Sequence, residues 1–198
     1  MDKNERFRTA AEYMEWLRVA QHERKLPAND CTRAAVPCFG IAQDHHHAIV
    51  VLLRNRLYAS CFALVRVAFE AYIRGEWLAT CATDAELQRF LQNHEPPPLN
   101  CLIAKIEEKP DFSHGVLSAI KRQHWSSMCA YTHTGGLHVQ RWITADAIEP
   151  SYTPEEIQEV LFFAELIATM AALGFADLAA DEALAKSIAI HFQARSQA

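Results

Sequence analysis

Arg66, Glu70 and Arg74 stand four residues apart within RVAFEAYIRGEWL, residues 66–78, one of the most apolar parts of the chain. On a helix, positions i, i+4 and i+8 drift only slowly around the axis, so the three form one stripe with Trp77 near its end. Val67, Phe69, Tyr72 and Ile73 leave little room for a separate exposed face, so the charges in this stripe need partners. Two arginines around one carboxylate have two uses. They can fix helix register as a structural ladder, or they can line a polar cleft in which the spare guanidinium donors hold an anion such as phosphate.

A second group of reactive residues lies in YTHTGGLH, residues 131–138. A helix here is expected to end against Gly135-Gly136, since glycine takes positive φ readily and lets a backbone approach another group closely. His133 and His138 flank that turn, with the Thr132 and Thr134 hydroxyls between and beside them. Imidazole titrates near neutral pH, and hydroxyls and bare amides orient anions, so this segment can assist proton transfer or can merely cap helix ends. Brought together, the two segments define a candidate site. Arg66 or Arg74 would contact the anion, Glu70 would orient an arginine or His133, and His133 would move a proton. Arg66, Glu70 and His133 are the candidate catalytic residues; Arg74, Thr132, Thr134, Gly135, Gly136 and His138 are the candidate substrate contacts.

No metal or cofactor is expected. His45-His46-His47 are adjacent on a helix and point about a third of a turn apart, too divergent for one ion. CTRAAVPC lacks ligand spacing, and the chain has no Walker loop, GxGxxG or GxSxG, which removes support for phosphate cradles, dinucleotide sites and α/β-hydrolase chemistry.

The elements that must position these residues are helical. Residues 1–198 read as one domain, with 51% hydrophobic content to build a core, and no stretch alternates with period two for long enough to make a sheet. The periodicity and capping signals predict helices over about residues 5–25, 44–58, 57–80 and 84–94, then 100–108, 115–131, 153–178 and 181–194. A loop is expected around Pro37 and Gly40, with Asp44 as the cap of the following helix. The third helix, apolar nearly all round, should be the centre of the bundle. Residues 160–176 are too short for a membrane span and carry Glu165, so they read as a buried core helix. That helix also offers apolar surface for a homodimer.

Nineteen Lys and Arg against 24 Asp and Glu give a net charge of −5, which argues against broad nonspecific binding to nucleic acid but not against a local basic cleft. The six cysteines form no CxxC pair and several sit in apolar helical patterns, so they read as reduced thiols. The charged N-terminus lacks the apolar core of a signal peptide, and a cytoplasmic location is expected.

LVRVAFEAYIRGEWLATCA (residues 64–82), followed by YTHTGGLHVQRW (131–142) and IEPSY (148–152), resembles a bacterial all-helical family that is distantly similar to HEPN domains. The likeness spans about residues 44–152. It implies a compact HEPN-like helical bundle, often dimeric, of the kind found in toxin–antitoxin and phage-defence systems, where active members cut RNA without metal through an R-x4-6-H motif. That spacing occurs here once, from Arg89 to His94, but Phe90 replaces the polar residue usual after the arginine. It also falls just before Pro96-Pro97-Pro98 instead of opening a long helix, and reads as a chance spacing. The resemblance implies action on RNA or a nucleotide. The alternative is a non-catalytic, antitoxin-like or regulatory protein with a protein partner, or a sensor whose small ligand sits in the stripe.

Overall fold

The computed structural model describes residues 3–196 as an all-α, single-domain bundle with no strand; one isolated antiparallel bridge joins Ile143 and Ile148. The helices are α1 (Lys3–Gln21), α2 (Asp30–Arg54), α3 (Tyr58–Thr80), α4 (Asp84–Leu91), α5 (Leu99–Glu107), α6 (Val116–Thr132), α7 (Gly136–Gln140), α8 (Pro154–Leu178) and α9 (Glu182–Ser196), with a 3-10 turn at Pro110–Phe112. α3 packs against α2, α5, α6 and α8, as its apolar circumference demands.

The expected loop at Pro37 and cap at Asp44 are wrong: α2 runs unbroken from Asp30 to Arg54 with Pro37 inside it. Asn29 supplies the cap instead, its side chain accepting from the Thr32 N–H at 2.8 Å. An interior proline costs about 3 kcal/mol. Burial of Ala34, Ala35, Cys38, Phe39 and Ala42 along one face of α2 offsets that cost. The break expected near Asn55 is present, with Arg56 at φ 59 between α2 and α3.

α2, α3 and α8 meet at Phe39, which is fully buried. The ring sits between two glycines: a Cβ on Gly75 would lie 2.7 Å from it and one on Gly174 2.5 Å. Only glycine allows the α3 and α8 backbones to close on this ring.

The expected membrane-or-core choice for α8 has a structural counterpart. α8 is the one described helix long and apolar enough to cross a membrane, and 61% of its most apolar stretch is buried within the bundle. Its Glu165 is buried and accepts from Arg195 of α9 at 2.6 Å. Arg195 also donates to the Thr9 carbonyl at 2.9 Å and lies 4.8 Å from the Tyr13 ring centroid, while Tyr13 and Thr169 share a 2.6 Å hydrogen bond. This polar network fastens α1 and α9 to α8, and each charge within it is paired.

Candidate functional site

The apolar circumference of α3 leaves one polar seam, and that seam faces α6. Glu70 accepts from Arg66 Nε at 2.8 Å through one oxygen and from Arg74 Nη2 at 2.9 Å through the other, so a single carboxylate holds both guanidinium groups. The Glu70 side chain is 12% exposed and that of Arg74 38%, which leaves a reachable cation above a nearly buried anchor. Arg66 Nη1 bonds His133 Nε2 at the end of α6, 67 residues away in sequence. A guanidinium can only donate, so Nε2 is the acceptor in this contact.

α6 contributes two residues that the motifs did not suggest. The Arg66 guanidinium lies 4.8 Å from the Trp125 ring centroid, and Lys121 Nζ lies 5.6 Å from the same ring. Lys121 and Trp125 are four apart on a helix, a spacing that could have marked them as a cation–aromatic pair. Lys121 has no carboxylate in ion-pair reach among the described residues. The face therefore carries Arg66, Arg74 and Lys121 against Glu70. It is open rather than enclosed. The neighbouring groove of about 650 Å³ between α6, α7 and α8 is lined by Val65, Tyr131 and Phe163, not by Arg66 or His133.

Of the residues expected to contact substrate, several have other work. The Thr132 hydroxyl donates to the Ala63 carbonyl at 3.1 Å and the Met128 carbonyl at 2.9 Å, tying α6 to α3 so that Arg66 and His133 meet. His138 is buried with its ring edge-on to Tyr131, 5.3 Å between centroids, and neither ring nitrogen has a hydrogen-bond partner. The positive φ expected of the glycines belongs instead to Thr134, at φ 53. Gly135 is needed for closeness: its amide donates to the Ala130 carbonyl at 2.7 Å, and a Cβ there would lie 3.1 Å from the Ala130 backbone. Gly136 meets no such constraint and begins α7, a short helix that the periodicity did not reveal. A β-branched residue in the left-handed region is strained, so Thr134→Gly should raise stability by about 1 kcal/mol in urea unfolding. An unchanged or lower stability would show that the Thr134 side chain compensates.

Much of the remaining 131–152 segment is packing. Phe62 contacts Tyr131 and Tyr152, with ring centroids 4.9 and 4.7 Å away, and Arg141 is ion-paired with Glu156 of α8. His46 is buried, and desolvation pushes its pKa down to about 3, so it is a neutral core residue, while His47 is exposed. Among the described residues no three His, Cys, Asp or Glu side chains converge as metal ligands would. Arg89 and His94 lie at the end of α4 beside the last turn of α3, away from the Arg66 seam.

Sequence reasoning also passed over Glu76. It lies two residues beyond Arg74 on the other side of α3 and is buried, with no hydrogen bond to its carboxyl among the described residues. Burial, followed by the nearby Asp177 charge, pushes its pKa up to about 7.

In comparison with known families, the model of a family of unknown function (DUF6988) matches residues 39–195. No curated protein and no solved structure matches the chain.

Proposed function

Because the chain belongs to DUF6988, a family of unknown function, its site is the guide to its activity, and we propose that this bundle is HEPN-like and acts on RNA or nucleotides through the α3–α6 face. The observation that carries the reading is the charge imbalance there. Arg66 and Arg74 share Glu70, and Lys121, over the same Trp125 ring as Arg66, has no ion-paired carboxylate among the described residues, in a chain whose net charge is −5. Guanidinium groups held from below by one carboxylate keep donors free for a phosphate. Such a site needs the anion to complete its charge balance.

The proposed chemistry is metal-free transesterification. With the phosphate between Arg66, Arg74 and Lys121, the ribose 2′-oxygen attacks phosphorus and the bond to the 5′-oxygen breaks, leaving a cyclic phosphate. His133 Nε2 takes the 2′-hydroxyl proton once Arg66 turns from it to the phosphate, and the departing oxygen takes a proton from solvent. The biological setting would be a toxin–antitoxin or phage-defence system in the cytoplasm, with the protein acting as a homodimer.

A second reading has its own support. His133 Nε2 is occupied by Arg66 and the Thr132 proton is committed to backbone carbonyls. These contacts suit a non-catalytic, antitoxin-like or regulatory protein in which the seam only binds, either an anion or an acidic protein partner.

Single-stranded RNA titrated at several salt concentrations, with cleavage followed on gels, separates the two. Lys121→Ala and Arg74→Ala should each weaken binding about tenfold and lower the salt slope by about 1. His133→Ala should leave binding intact and abolish cleavage. RNA bound but never cut favours the second reading; RNA neither bound nor cut, with the variants folded, sinks the first.

A further inference from the structure

We propose that the Arg66–His133 contact couples anion capture to proton uptake, so that the α3–α6 face binds an oxyanion more tightly when His133 is protonated. The inference rests on the anion site proposed above and adds how that site is regulated. Arg66 belongs to α3 and His133 to the end of α6. The Thr132 hydroxyl, bonded to the Ala63 carbonyl, ties the two helices together beside them, so packing keeps the pair within reach of each other.

Arg66 has little freedom to avoid the ring. Its Nε is committed to Glu70 at 2.8 Å, its guanidinium lies 4.8 Å from the Trp125 ring centroid, and its side chain is 20% exposed. Nη1 meets His133 Nε2, a contact that exists only while Nε2 carries no proton. On protonation both ring nitrogens become donors, and a donor on one cation then faces a donor on another. An anion resolves that conflict. Placed between Nη1 and the Nε2–H it accepts from both, and a repulsion gives way to two charge-assisted hydrogen bonds. Beside a neutral ring the same anion gains only the guanidinium bond.

The groups around His133 leave this role to a ligand. Both Glu70 oxygens are engaged, one by Arg66 and one by Arg74. On α6 the His133 N–H closes the last turn on the Cys129 carbonyl, and Lys121 lies about three turns earlier against Trp125. Beyond the turn, His138 is buried against Tyr131 and Arg141 is paired with Glu156. No carboxylate is ion-paired with His133 among the described residues. The C-terminus of α6 favours a cationic ring, but its full counterion must come from solution.

Sulfate is the probe, because it stays a dianion across the range in which imidazole titrates. Between about pH 8 and about pH 5.5, the sulfate affinity of the parent protein, measured by calorimetry, should rise about tenfold more than that of His133→Ala. At about pH 8 the two proteins should bind alike. His133 is exposed, so the substitution removes no core packing. In NMR spectra of the parent at about pH 6.5, sulfate should move the His133 ring-proton resonance, identified by its absence in His133→Ala, toward its acid-form position. Sulfate bound with the same pH dependence in both proteins, or a ring resonance that keeps its position at saturating sulfate, overturns the coupling and leaves the anion site standing. No sulfate binding at either pH, or binding that Arg74→Ala and Lys121→Ala leave untouched, removes the anion site and the coupling with it.

Discussion

Phe39→Ala is expected to cost about 3–5 kcal/mol, the range for removing a large aromatic from a closed core. That is a large share of the total stability of about 5–15 kcal/mol typical of a domain. The site justifies the upper half of the range. Phe39 is fully exposed to three helices and not at all to solvent, and the glycines at positions 75 and 174 are shaped to its ring. Collapse into the vacated space would require α2, α3 and α8 to move together. The same geometry makes a second variant informative. Gly174→Ala gains about 1 kcal/mol of helix propensity. Its Cβ would nevertheless stand 2.5 Å from the ring, which cannot retreat because Gly75 bounds another edge. The net result should be destabilisation of about 1–3 kcal/mol, read from urea midpoints. A Gly174→Ala protein as stable as the parent, with Phe39→Ala costing under about 1 kcal/mol, would mean that this junction is not the keystone of the bundle.

Glu76→Gln is expected to change the pH dependence of stability by about 3 kcal/mol. In the fold, the pKa of Glu76 is raised from 4.5 to about 7, so the fold favours the neutral acid. Its stabilising contribution is complete below pH 4.5 and is lost as pH rises to about 7. His46 behaves in the opposite sense. Its pKa is lowered from 6.5 to about 3, so the fold favours the neutral ring; that contribution is complete above pH 6.5 and is lost as pH falls toward 3. Between pH 4.5 and 6.5 the two slopes oppose each other, and the parent protein should show little net change from this pair. Glutamine removes the carboxyl titration and exposes the histidine slope, so the variant should gain stability steadily across that interval and exceed the parent above pH 7. Urea unfolding at four pH values from 4.5 to 7.5 measures this directly. Parallel profiles for the two proteins would mean that Glu76 finds a partner or water when it ionises.

The sequence by itself determined the helical class, most helix positions and the stripe of Arg66, Glu70 and Arg74. These are local properties. A period near 3.6 marks the helices, the Thr83 and Thr153 capping boxes mark two starts, and i,i+4 spacing alone makes Glu70 reachable from both arginines. Local signals misled where burial outweighed them. Pro37 looks like a break, yet the face carrying Phe39 keeps α2 intact. Gly135-Gly136 looks like the positive-φ turn, yet Thr134 takes that conformation because Gly135 is held against Ala130.

Only the tertiary structure decided what the stripe faces. The packing of α6 along α3, fastened by the Thr132 hydroxyl on the Ala63 carbonyl, sets His133, Trp125 and Lys121 around Arg66. It likewise buried His138 against Tyr131. Contacts between residues far apart in the chain depend on the angle and register of two helices. Those are set by the summed fit of many apolar side chains, which no short motif encodes.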